Sequence, residues 1–128
     1  MGHKTAIVVA YPSTHPSTKE PLKFDMSYYL SGHMPMIERA WGPYGMKSWS
    51  INTFPAPCPL TGETPPYLVQ TTCFFGSVED FKVALEKGGE ETKKDVERFS
   101  NVFPVIWVGD GGASGRVGGL EGEGIPQA

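Results

Sequence analysis

The 128-residue sequence is poor in charge and in cysteine. Only 20% of its residues are charged, and the formal net charge is −3. With a pI near 5.6 and no basic run, nucleic acid is not an expected partner. Two cysteines, Cys58 and Cys73, are too few for a disulfide framework. No apolar run approaches the roughly 18 residues that a membrane span requires. The N-terminus lacks the charged-then-apolar layout of a signal peptide. Asn-x-Ser/Thr sites are absent, and Ala6 stands where a myristoylation motif needs Ser or Thr. The expectation is a cytoplasmic chain with free thiols and no membrane contact.

Cofactor signatures are absent too. His3, His15 and His33 are scattered, with no pair at ligand spacing, so no metal site is expected. There is no phosphate-binding Walker loop and no Gly-x-Ser-x-Gly elbow. The run from Gly109 to Ser114 resembles a dinucleotide loop, but Ser114 replaces the last glycine and no apolar helix follows. No tightly bound cofactor is expected.

What the chain has in quantity is glycine and proline, 16 and 12 residues, together about 22% of the sequence and just under the range that signals disorder. A 39% hydrophobic and 12% aromatic content is enough to fold one domain. The punctuating residues also cluster. Eight glycines lie between Gly109 and the end, and five prolines lie between Phe54 and Tyr67. The expected organisation is a domain over 1–110 and a flexible Gly-rich tail over 111–128.

Between the clusters lie regular elements. Thr5 to Tyr11 reads as a buried strand. Asp25 caps a helix from Met26 to Trp41, with Met26, Tyr29, Leu30, His33, Ile37, Ala40 and Trp41 on its apolar stripe. Gly42-Pro43 ends it. Met46 to Phe54 and Tyr67 to Phe75 read as strands. Ser77 caps a helix from Val78 to Lys87, with Val78, Phe81 and Leu85 inward and Gly88-Gly89 as its stop. A short helix over Glu91 to Phe99 and a strand over Pro104 to Val108 follow. The order β-α-β-β-α-β is that of an α+β, ferredoxin-like split βαβ fold with a four-stranded antiparallel sheet. Both helices would cover one face. Trp49, Ile51, Val105, Trp107 and the third strand would leave the other face too apolar for water, which predicts a homodimer through the sheet faces.

The first helix carries the most informative residues. Pro35 cannot donate to the carbonyl of Ser31, and Gly32 weakens the helix further, so a kink or break is expected near His33. A histidine on the inward stripe at such a point can move protons near neutral pH. Cys73 shares a strand face with Val69, Thr71 and Phe75. If that face meets the helices, Cys73 and His33 share a pocket in which a thiol could assist. Tyr44, on the turn after the helix, could donate from the pocket mouth. Tyr29, Trp41, Trp49, Thr71 and Phe75 are expected walls for a substrate. Of Tyr28 and Tyr29, only Tyr29 falls on the stripe.

Three stretches carry a family likeness: Phe24-Asp25-Met26-Ser27-Tyr28-Tyr29-Leu30 with His33-Met34-Pro35, then Trp41-Gly42-Pro43-Tyr44-Gly45, then Phe99-Ser100-Asn101-Val102 with Pro104-Val105. Together they resemble the EthD family, named for a protein needed in ethyl tert-butyl ether degradation, in its fungal flavour. The resemblance spans residues 5 to 110 and implies a dimeric α+β barrel. It implies either a cofactor-independent enzyme acting on an apolar oxygenated molecule (a polyketide, aromatic or lactone) by acid/base chemistry at His33, or an oxidoreductase or accessory protein of an oxidative pathway. A non-catalytic binder of hydrophobic ligands is the third reading. Methylmuconolactone methylisomerase, on the same fold, is similar in pairing a helix histidine with a strand cysteine, positions that look like His33 and Cys73. Its second pocket histidine has no counterpart here, and the Pro-rich loop and Gly-rich tail are departures from the family pattern.

Overall fold

Alternation along two strands sets the architecture. In β1 (Thr5–Pro12), Thr5, Ile7, Val9 and Tyr11 turn to one side and are buried. In β3 (Tyr67–Phe75), Val69, Thr71, Cys73 and Phe75 do the same. The two strands pair antiparallel, with Ile7 opposite Cys73 and Val9 opposite Thr71, so the two buried rows form one surface. β2 (Met46–Thr53) and β4 (Val105–Asp110) flank them in the order β2-β3-β1-β4, every pair antiparallel. The result is the α+β, ferredoxin-like arrangement that the order of elements predicts. The computed structural model describes residues 5–118. The tail expected beyond Gly118 and His3 lie outside the described residues.

The first helical segment begins where expected. The Asp25 carboxylate accepts from the Tyr28 N–H at 3.0 Å and opens α1 (Met26–Tyr28). No break follows at His33. The chain instead widens into a π turn (Tyr29–His33), in which the Met34 N–H reaches back to the Tyr29 carbonyl, and continues as α2 (Met34–Trp41). Pro35 sits in the first turn of α2, where its missing N–H matters least. A single wide turn thus absorbs the lost hydrogen bond. A 3₁₀ turn (Gly42–Tyr44) then ends at Gly45, whose φ of 115° suits glycine.

The second helix corrects two expectations. α3 (Val78–Asp95) runs straight through Gly88-Gly89, and a 3₁₀ turn (Val96–Arg98) replaces the separate helix expected over Glu91 to Phe99. Gly88 is a packing residue: a Cβ there would stand 3.0 Å from the Ala40 Cβ of α2. The two helices cross at that point, and tertiary contact overrides weak propensity. The inward stripe is Phe81, Ala84, Gly88, Thr92 and Asp95, whereas Leu85 is 40% exposed.

A third correction concerns the sheet. Trp49 lies opposite Cys73 and Ile51 opposite Thr71, so both face the helices and not the outer side. Trp107 lies opposite Val8, among residues that alternate away from the buried row, and it remains 49% exposed. The outer face is therefore apolar mainly on its β4 side, and polar along β2 through Ser48, Ser50 and Asn52.

Candidate functional site

The segment after α3 ties the two helical layers together. The Asp25 N–H donates to the Phe99 carbonyl at 2.8 Å, and the Asn101 side chain bonds both the Lys23 N–H and the Pro21 carbonyl. These bonds hold the start of the first helix against the end of α3. Phe99 packs against Phe24, Tyr29 and His33 at the same place.

The functional consequence is at Asp95. Its carboxylate is buried at the C-terminal end of α3, where the helix dipole opposes a negative charge. Three groups compensate. His33 Nδ1 lies 2.9 Å from Oδ2. The Tyr28 hydroxyl donates to Oδ1 at 2.9 Å and lies 3.2 Å from Oδ2. Arg98 Nε is more distant, at 3.5 Å. Asp95 was not among the expected site residues, because stopping the helix at Gly88 takes it off any stripe. The 3–4 spacing from Phe81 through Ala84, Gly88 and Thr92 carries the signal for it.

His33 is also buried, at 4% exposure, with its ring stacked on Tyr29 at 5.3 Å. Burial pulls its pKa below the usual 6.5, outweighing the opposing pull of Asp95. The imidazole is therefore neutral at pH 7. Asp95 accepts the Nδ1 proton, which leaves the Nε2 lone pair without a hydrogen-bond partner among the described residues.

His33 lines a cavity of about 460 Å³ between the sheet and the helices. Of the expected site residues, Tyr29, Trp41, Thr71 and Cys73 line it too. Tyr29 and Thr71 share a hydrogen bond of 2.6 Å, and burial pushes the Tyr29 pKa up to about 12. Tyr11, beside Tyr29, is pushed up by the same cause. Burial raises the Cys73 thiol pKa to about 12, which favours its protonated form. Trp41 Nε1 meets no acceptor among the described residues, and its ring stands edge-on to Phe81. Lys93 and Glu90 lie at the cavity with Leu85, Phe103 and Ile106.

Three expected site residues are elsewhere. Tyr44 ends the 3₁₀ turn, 36% exposed and outside the cavity lining. Trp49 donates its indole N–H to Glu38 of α2 at 2.8 Å, outside the cavity lining. Phe75 is fully buried between Trp41 and Phe81 as core. Among the described residues no three His, Cys, Asp or Glu gather where a metal could sit, and no helix is long and apolar enough to cross a membrane.

The crystal structure of an EthD-like protein from Ralstonia eutropha JMP134 matches with a TM-score of 0.71 at 23% identity, over 86% of this chain and 93% of that one. The chain has the EthD fold. A second EthD family protein, from Bacillus halodurans C-125, matches with a TM-score of 0.58 at 14% identity, over 83% and 96% of the two chains. HapK from Hahella chejuensis matches with a TM-score of 0.54 at 10% identity, over 90% and 99%. No family model matches the chain, and no curated protein matches it in sequence. The EthD fold supplies the frame in which β1, β3 and the two helical layers enclose the His33 cavity.

Proposed function

We propose that the chain is an EthD-type enzyme of the cytoplasm. It works without a bound cofactor on a small, apolar, oxygenated molecule, with His33 as acid and base. The observation that carries this reading is the buried His33–Asp95 pair, whose histidine lines the cavity. With Nδ1–H donating to Asp95, the lone pair lies on Nε2 of a ring that lines the cavity. From there it takes a proton from a C–H or O–H of the substrate and returns it elsewhere. The imidazolium formed in between is stabilised by Asp95. Apolar walls at Val9, Met34, Ile37 and Phe103 suit a polyketide, an aromatic or a lactone.

The same reading includes a homodimer. Trp107 and Val105 stand exposed on the outer face of the sheet, with the Tyr67 ring 5.4 Å from the Trp107 ring. A second copy seated on β4 would cover them.

The test uses carbonyl compounds with acidic C–H bonds as probes. The protein is incubated in D₂O with cyclic 1,3-diketones and lactones, and deuterium incorporation is followed. Faster exchange with the native protein than with His33→Gln supports the reading. Equal exchange with both, across the panel, contradicts it.

A further inference from the structure

The dyad has a third member whose placement needs a special residue of its own. Tyr28 precedes Tyr29 and was expected to point away, yet its hydroxyl reaches Asp95 across 67 positions of chain. Its donor proton faces both carboxylate oxygens, at 2.9 and 3.2 Å. Gly32, one helical turn later, makes this possible. A Cβ on Gly32 would stand 2.5 Å from the Tyr28 ring, so any side chain there would drive the ring off its line to Asp95. Gly32 therefore has a spatial use distinct from the weakening of the helix.

We propose that Tyr28 is a positioning residue of the dyad, its hydroxyl bonding both oxygens of the Asp95 carboxylate and so limiting the pull of that carboxylate on His33. This rests on the reading of His33 as the acid and base. A carboxylate at the end of a helix is free to rotate about its own side-chain bonds unless both oxygens are held. His33 holds Oδ2. Arg98, a cation close to Asp95, is too far at 3.5 Å and too exposed at 72% to fix Oδ1. Tyr28 is the only short donor to Oδ1 among the described residues.

The phenol also sets the strength of the pair. Its hydrogen carries positive charge onto the carboxylate and so tempers the pull of Asp95 on an imidazolium. The titratable or charged groups facing Asp95 are Tyr28 from α1, His33 from the π turn and Arg98 from the following 3₁₀ turn. Those facing His33 are Asp95 and, stacked on its ring, Tyr29, while Glu90 and Lys93 of α3 and Cys73 and Tyr11 of the sheet line the same cavity. Removal of the Tyr28 hydroxyl concentrates charge on the carboxylate and favours protonated His33.

The experiment follows the His33 ring protons by NMR across a pH titration of the intact protein. The His33→Gln spectrum distinguishes His33 from the two other histidines. Tyr28→Phe keeps the ring and removes the hydroxyl. The expected result is an upward shift of the His33 midpoint by about half a unit. Gly32→Ala keeps the hydroxyl but displaces the ring, and the same upward shift is expected. Arg98→Gln serves as control, with a shift clearly smaller than that of Tyr28→Phe. A His33 midpoint unchanged or lowered in both Tyr28→Phe and Gly32→Ala overturns the proposal. Since the readout is titration and not turnover, failure of this assignment and failure of the acid/base reading are separable.

Discussion

Asp95 Oδ2 and His33 Nδ1 meet at 2.9 Å, a buried carboxylate on the last turn of one helix against a buried imidazole in the π turn of another. A charge placed against the helix dipole and away from water is costly unless it is held, and each partner here is held by the other. Asp95→Asn keeps the shape and removes the charge. The expected effect on proton exchange with 1,3-diketones is a loss of about 10²-fold or more, because the imidazolium loses its partner. Circular dichroism checks that the fold is kept, so a loss in a folded variant is assigned to the charge.

Burial lowers the His33 pKa below 6.5, which fixes the sign of one pH effect. Between the folded value and 6.5 the unfolded chain binds more protons than the folded one, so stability rises with pH there. The contribution is complete above about 6.5 and is lost as pH falls through the folded value. Urea midpoints measured from pH 7.5 to pH 5 are expected to fall more steeply for the native protein than for His33→Gln.

Adjacent glycines are expected to respond oppositely to alanine. Gly88→Ala drives a methyl group to 3.0 Å from Ala40 Cβ, and overpacking of this kind costs about 1–3 kcal/mol. At Gly89 the added Cβ meets the Leu85 side chain at an ordinary 3.6 Å. Gly89→Ala is expected to stabilise by about 0.5–1 kcal/mol through helix propensity alone. Chemical denaturation of the two variants decides the matter.

These glycines also show where the sequence misleads. The buried strand at Thr5–Tyr11, the alternation in Tyr67–Phe75 and the cap at Asp25 were legible because each is a local pattern with a local cause. The crossing of α2 over α3 is a contact between Gly88 and Ala40, and no local pattern records it. Asp95 was lost with it, and so was half of the site. His33 was legible as an inward histidine beside a proline. The π turn was not, because it depends on how the chain shares out one missing hydrogen bond. Trp49 and Ile51 were placed on the wrong face for a different reason: the face depends on register with β3, which a single strand does not disclose.

The two thiols are expected to differ in reactivity. Cys73 is buried and held protonated to about 12, whereas backbone hydrogen bonds near Leu60 and Thr61 lower the Cys58 pKa from its ordinary value. Titration of the native protein with an aromatic disulfide reagent at pH 8 should release one equivalent quickly, and Cys58→Ser should abolish that phase. Rapid reaction of both thiols would remove Cys73 from the cavity wall.

If two copies meet through the outer sheet face, Trp107→Arg places a charge in the middle of the contact. Light scattering should give a dimer mass for the native chain and a monomer mass for the variant. A native monomer would contradict the pairing without touching the His33 site.

The most direct test of the site is the tautomer of His33. ¹⁵N-detected NMR of the ring at pH 7.5 reports which nitrogen carries the proton. With Nδ1 on Asp95 and burial keeping the ring neutral, the expected result is a proton on Nδ1 and a bare Nε2. A proton on Nε2 with Nδ1 bare, or on both nitrogens at that pH, would contradict His33 as a base facing the cavity.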